Sequence, residues 1–172
     1  MKYYQEITLL PDQEISLNFI WSKVFHQLHL AFANAADEAG RIPFGVSFPG
    51  YTMEDGNIGL GNKLRVFSPD GEMLDGLELH KKLSRLEDYV HVVRRPRTVP
   101  EEVRGYSCYS RLHQEANGSA KARRYARRHD ISVDEAEKLF PPNTITLKEP
   151  YIRLDSSSTG QKMLLFIRKT EE

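Results

Sequence analysis

The segment Tyr3-Tyr-Gln-Glu-Ile7-Thr-Leu9-Leu10-Pro11, followed by Ile15 to about Ala36, sets the architecture. The first part alternates, with Tyr3, Ile7 and Leu9 on one side, and Pro11 closes it, so it predicts a strand. In the second, Leu17, Ile20, Trp21, Val24, Leu28 and Ala31 recur at helical spacing over a run too long and regular for a strand. Arg41 to Phe48 enters a second strand, closed by Pro49 and Gly50. The Gly-rich loop Gly56-Asn-Ile-Gly59-Leu-Gly61 leads into a third, Lys63 to Phe67. Its glycine spacing does not fit a dinucleotide fingerprint and no helix follows, so it predicts a hairpin loop. Leu79, Leu83 and Leu86 mark a second helix, and Tyr89 to Val93 a fourth strand. The order β-α-β-β-α-β predicts an α+β chain whose N-terminal part, residues 1–95, is a ferredoxin-like domain: a four-stranded antiparallel sheet backed by two helices. That fold alone decides little about function.

Residues 96–104, which include Pro96 and Pro100, are expected to be a linker to a smaller C-terminal α/β region, 105–172. Gly105 to His113 alternates as a strand, with Tyr109, Arg111 and His113 sharing a face suited to stacking and base-edge contacts. Ser119 to His129 reads Ser-Ala-Lys-Ala-Arg-Arg-Tyr-Ala-Arg-Arg-His. As a helix, it gathers Lys121, Arg123, Arg124, Arg127 and Arg128 within less than half the circumference and leaves Ala122, Tyr125 and Ala126 opposite. Ser119 is a natural N-cap. Ser132-Val-Asp-Glu135 is a capping box opening a short helix that stops at Pro141-Pro142. Tyr151 to Leu154 and Met163 to Arg168 are two further strands, joined by Asp155-Ser-Ser-Ser-Thr-Gly-Gln161.

The 172 residues carry no net formal charge, but the distribution is uneven. Residues 1–60 hold three basic and seven acidic side chains, whereas 104–128 hold seven basic and one acidic. Basic surface helices normally carry Glu or Asp at i+4, and the Ser119–His129 stretch carries none, so an anionic ligand is expected on it, with nucleic-acid phosphate the obvious candidate. A single cysteine, Cys108, excludes an internal disulfide and suits a reducing cytosol. No apolar run approaches membrane-spanning length and the N-terminus is unlike a signal peptide, so a cytoplasmic protein without a membrane partner is expected.

Nothing in the six histidines, the lone cysteine or the acid spacing resembles a metal site, and no cofactor is expected. A nuclease built from these residues needs metal-free chemistry. For RNA this means attack of the 2'-hydroxyl on its own 3'-phosphate, giving a 2',3'-cyclic phosphate and a 5'-hydroxyl. The protein must align the 2'-oxygen, remove its proton and supply donors to the phosphate. His29, beside Leu28 on the first helix, is expected at the edge of the core, where an imidazole can serve as base. His26, one turn earlier, has an equal claim on spacing. Ser156 and Ser158 share a parity in the loop after a strand and could face one pocket.

Several segments together resemble the CRISPR-associated endoribonuclease of subtype I-F systems, which processes repeat RNA. Tyr4-x-x-Ile7-x-Leu9-x-Pro11-Asp12 is similar to that family's opening strand, and Phe25-x-x-Leu28-His29 to its histidine-bearing helix. Gly45-Val-Ser-Phe-Pro49 and Leu60-Gly61-x-x-Leu64-Arg65 are similar to its next two strands, and Ser110-Arg111 to the start of its base-reading strand. Arg123-Arg124-x-x-Arg127-Arg128-His129-Asp130 resembles its arginine-rich helix. Ser156-x-Ser158-Thr-Gly-Gln161 through Leu165-Phe-Ile-Arg168 resembles its catalytic loop and following strand.

The resemblance implies recognition of a CRISPR repeat hairpin, cleavage at the 3' base of its stem, and retention on the guide RNA with other CRISPR-associated proteins of a surveillance complex. It implies His29 as general base, Ser156 orienting the ribose and Ser158 as a nearby helper. Arg111 would read a guanine, and Arg123, Arg124, Arg127, Arg128 and His129, with Lys121 beside them, would line the stem's major groove. An A-form major groove is narrow, so entry requires the widened end of a short hairpin. His113 stands where the family has a glutamine base-reader, Met163 replaces a stacking aromatic, and Asp155 replaces a basic residue. The sequence ends at Glu172, ahead of a closing Gly-rich strand. The alternatives are an RNA-hairpin-binding subunit that cuts weakly or not at all, and a DNA-binding regulator using the arginine helix.

Overall fold

A computed structural model describes residues 1–103, 105–112, 118–140, 147–155 and 162–171. The protein is α+β, with antiparallel sheets, and divides into two compact units: residues 1–111 with 149–172, and residues 112–148.

In the first unit, β1 (Tyr3–Leu9) is the centre of a sheet. It pairs antiparallel with β5 (Lys63–Ser68) on one side, Glu6 opposite Arg65, and with β6 (Val90–Val92) on the other, Thr8 opposite His91. β2 (Gly45–Ser47) extends the sheet beyond β5, giving the order β2-β5-β1-β6. β2 is shorter than expected, and Asp37 holds the chain before it in a turn. Its carboxylate accepts the N–H groups of Ala39 and Arg41 and the Arg41 Nε. β3 (Thr52–Glu54) and β4 (Asn57–Gly59) form a separate small hairpin within the stretch the sequence assigned to a hairpin loop. Its Asp55-Gly56 turn, with Gly56 at φ +80°, supplies the left-handed residue such hairpins need. β7 (Arg97–Thr98), inside the expected linker, pairs with Tyr3 and Tyr4 of β1.

Between β1 and β2 runs α1 (Leu17–Asn34), capped by the Ser16 side chain accepting from the Phe19 N–H. It buries Ile20, Trp21, Val24, Leu28 and Ala31, close to the expected stripe. The expected second helix is instead broken into α2 (Gly71–Gly76), α3 (Leu79–Lys82) and a 3-10 turn (Ser84–Leu86). Glu78, in left-handed conformation at φ 47°, separates α2 from α3, while Leu79 and Leu83 still enter the core. Gly61 has no substitute: its φ is +70° and a Cβ there would lie 2.6 Å from the Gly50 Cα. Its carbonyl accepts the Trp21 indole N–H at 2.9 Å.

A second sheet, in the order β8-β10-β9, comprises β8 (Ser107–Leu112), β9 (Tyr151–Asp155) and β10 (Lys162–Glu171). Ile152 and Ile167 join the same core as Ile7, Leu9, Trp21 and Leu28, and α1 packs against β9.

The second unit contains α4 (Gly118–His129) and α5 (Val133–Leu139). Among its described residues, Ala122, Ala126 and Ala136 are buried, with Tyr125 and Phe140 packed on them. Asp130, left-handed at φ 52°, ends α4, and the Ile131 N–H returns to the Ala126 carbonyl. The Ser132–Glu135 capping box is present as expected. The expected stop at Pro141-Pro142 lies outside the described residues.

On the outer face of the first sheet, Glu6 accepts from Arg65 Nε at 2.8 Å and Lys63 Nζ at 3.2 Å. Partial burial opposes its ionisation, but the two cationic donors outweigh that and hold the carboxyl below its usual value. A depressed carboxyl stabilises the fold above its unfolded pKa, and that stabilisation is lost as pH falls through the folded pKa. Because both cations are more than a third exposed, Glu6→Gln should lower stability at pH 7 by about 0.5–1 kcal/mol. Urea unfolding at several pH values should show the wild-type and variant curves converging in acid; a constant gap would contradict the assignment.

Candidate functional site

α1 carries both candidate histidines. Each residue turns the helix by about 100°, so the position after buried Leu28 swings towards solvent. His29 is accordingly exposed, rather than partly buried as the sequence suggested, and His26 is the half-buried one. An exposed imidazole is open to a large ligand, and the neighbouring core fixes the backbone that bears it. The packing of α1 on β9 also ties this helix to the strand that ends at Asp155, the residue before Ser156 in the sequence. Ser156 and Ser158 lie outside the described residues, as does His113.

On the second sheet, Arg111 and Met163 are brought together: the Arg111 Nη2 donates to the Met163 Sδ at 3.3 Å. Both side chains are exposed. Tyr109, which alternation places on the same side of the strand as Arg111, turns into the core instead. Its ring meets Phe48 and Tyr51 edge-on at 5.4 and 5.9 Å, and its hydroxyl donates to the Phe48 carbonyl at 3.0 Å. Burial raises the Tyr109 phenol above its ordinary pKa, so it stays a donor at neutral pH. Strand alternation alone could not separate a core-facing tyrosine from a ligand-facing one, because the two faces of this strand do not differ clearly in polarity. Arg168 is committed elsewhere, its Nε and Nη2 both donating to Glu149 Oε1 at 3.1 and 2.8 Å.

In the second unit, α4 presents Lys121, Arg123, Arg124, Arg127, Arg128 and His129 as exposed residues, with Ala122 and Ala126 buried behind them. Among the described residues, no acidic side chain pairs with Arg124, Arg127 or Arg128. His129 stacks on Tyr125 one turn earlier, centroids 4.1 Å apart, and Tyr125 in turn packs on Phe140 at 5.3 Å. That stack restrains the imidazole at the end of the cationic face. Aromatic i,i+4 spacing was the sequence signal for it. Among the described residues, no three His, Cys, Asp or Glu side chains gather as a metal set, and no helix is long and apolar enough to cross a membrane.

These features define an α+β protein that presents a polycationic helix on one unit and an exposed helical histidine on the other. The chain belongs to the Cas_Csy4 family of CRISPR-associated proteins, which it matches over residues 4–172. It is 35% identical over 169 residues to the CRISPR-associated endonuclease Cas6/Csy4 of Pseudomonas aeruginosa (strain UCBPP-PA14), covering 98% of this chain and 86% of that protein. It is 29% identical over 169 residues to the protein of the same name from Escherichia coli (strain UTI89 / UPEC), covering 98% and 85%.

If Tyr109 belongs to the core, Tyr109→Phe should cost about 0.5–1.5 kcal/mol of stability through the missing hydrogen bond and leave nucleic-acid affinity unchanged. Urea unfolding and filter binding would check this; weakened binding at unchanged stability would return Tyr109 to the ligand face.

Proposed function

We propose that this chain is the endoribonuclease that processes CRISPR repeat RNA, binding the repeat hairpin through α4 and cutting at the 3' base of its stem. The observation that carries the reading is the exposed cationic face of α4, a helix with no acidic residue of its own, in a chain matched over residues 4–172 by a family of CRISPR-associated proteins and similar to CRISPR-associated endonucleases. Phosphates on both strands of a stem are the anions that such a cationic face attracts. Guanidiniums also form two-donor contacts with phosphate and base edges. The order β2-β5-β1-β6, with α1 between β1 and β2 and helical segments between β5 and β6, supports the ferredoxin-like reading of the N-terminal part.

In this reading His29 accepts the proton of the 2'-hydroxyl at the cleavage site. The freed 2'-oxygen attacks the adjacent phosphorus and the P–O5' bond breaks. The 5'-oxygen takes a proton from solvent to become a 5'-hydroxyl, and the other product ends in a 2',3'-cyclic phosphate. Ser156 holds the ribose and Ser158 assists. Arg111, steadied against Met163, reads a guanine beside the cut, and His113 contacts a neighbouring base. Met163 lies under the terminal base pair. Arg123, Arg124, Arg127 and Arg128, with Lys121 and the stacked His129, line the stem. The functional division follows the sequence: residues 1–95 carry the base, and 105–172 carry the hairpin-binding groups. Retention on the guide RNA within a complex of CRISPR-associated proteins completes the reading.

His29→Ala should slow single-turnover cleavage of the host repeat hairpin by about 10²–10⁴-fold, the usual contribution of a general base, with affinity unchanged. A histidine variant that loses binding in step with cleavage would remove His29 from that role. Arg123→Gln with Arg127→Gln should do the opposite. Binding should weaken, and the slope of log affinity against log salt should fall by about one for each phosphate left without its arginine, with near-normal cutting at saturating protein. An unchanged salt slope would take α4 off the RNA.

A further inference from the structure

The first unit has its own concentration of positive charge. Residues 80–97 hold six lysines and arginines against two acids. There α3, the 3-10 turn, β6 and β7 border a groove of about 750 Å³, lined by His80, Lys81, Glu87, His91, Arg94 and Arg97. All six are exposed. Lys81 pairs with Glu78, but among the described residues Arg94 and Arg97 have no acidic partner. The groove follows the outer side of β6, the last strand of its sheet. Tyr89 and Val93 direct backbone groups to β1, where the Leu10 N–H meets the Tyr89 carbonyl and the Val93 N–H meets the Glu6 carbonyl. By alternation, Val90 and Val92, which also line the groove, turn their backbone groups towards it.

Charges along an edge strand also discourage edge-to-edge pairing, and a flat row of them suffices for that. Here cations and imidazoles from α3, β6, β7 and the turn before β7 converge on a concavity, which edge protection does not require. Guanidiniums bind phosphate, and their planes, like imidazole rings, accept stacked bases. We propose that this groove binds single-stranded RNA flanking the repeat hairpin, with backbone phosphates on Arg94 and Arg97. The inference rests on the RNA-processing reading above and adds a second RNA-binding surface to it.

The test compares three RNAs by fluorescence polarisation across a salt series: the bare hairpin, and the hairpin extended on its 5' or its 3' side. Each extension has about eight uridines, within the ~4–16 nucleotide footprints of single-strand sites. One extended RNA should bind more tightly than the bare hairpin, with a salt slope steeper by about 1.4 for two neutralised single-strand phosphates. Arg94→Gln with Arg97→Gln should abolish that gain and leave the bare hairpin unaffected. The proposal is overturned if neither extension adds affinity, or if the gain survives the double substitution, as it would were the groove reserved for an acidic protein. Failure of the bare hairpin to bind would sink the hairpin-processing reading instead. Titration of oligouridylate alone against wild type and the double variant then still decides the groove.

Discussion

Burial of the α1 stripe holds the first unit together. Ile20, Trp21, Val24 and Leu28 sit almost without exposure in one core with β1 and β5, and with Ile152 and Ile167 of the C-terminal strands. Each large side chain so buried contributes about 1.5–3 kcal/mol, and the Trp21 indole adds a bond to a carbonyl that only a glycine can present there. The consequence for function is positional. The same packing that orients Leu28 inwards puts His29 on the surface, on a helix seated against the strand that leads into Ser156. A general base needs a fixed backbone and an accessible ring, and this arrangement meets both needs without burying the imidazole.

The second unit solves a different problem with little material. Its buried residues, among those described, are alanines, which contribute little apolar area each, and the cations on α4 repel one another. Local devices offset this: the Tyr125–Phe140 contact, the left-handed stop at Asp130 and the reciprocal Ser132–Glu135 cap. A ligand that neutralises the arginines removes the repulsion and adds its binding free energy to the stability of the helix pair. Alanine at positions 122 and 126 keeps the inner face flat, which leaves the outer face to the long cationic side chains.

Elements with a strong period were legible in the sequence. The α1 stripe, the β1 alternation, the Ser132 cap and the arginine face of α4 all follow from residue spacing. What escaped was set by partners distant in the chain. Gln5, in an otherwise apolar series, is 2% exposed because its amide donates to the Val93 and Arg94 carbonyls, and no local pattern announces that. Tyr109 is drawn inwards by Phe48 and Tyr51, some sixty positions earlier. The three leucines that suggested one helix do reach the core or its margin, but over a broken path in which α3 gives way at Leu83 to a 3-10 turn. For the site, spacing found the cationic face, whereas the roles proposed for His29, Ser156 and Arg111 came from resemblance. A single histidine or serine carries no chemical signature apart from its surroundings.

The most direct test of metal-free transesterification by a histidine-bearing helix and a serine loop is the chemistry of the cut end. Repeat RNA incubated with the protein in excess EDTA, its fragments then weighed by mass spectrometry, should yield a 2',3'-cyclic phosphate and a 5'-hydroxyl. A substrate with a 2'-deoxy sugar at the cleavage site should bind and remain intact. Cleavage of the deoxy substrate, or a strict requirement for a divalent ion, would contradict the account.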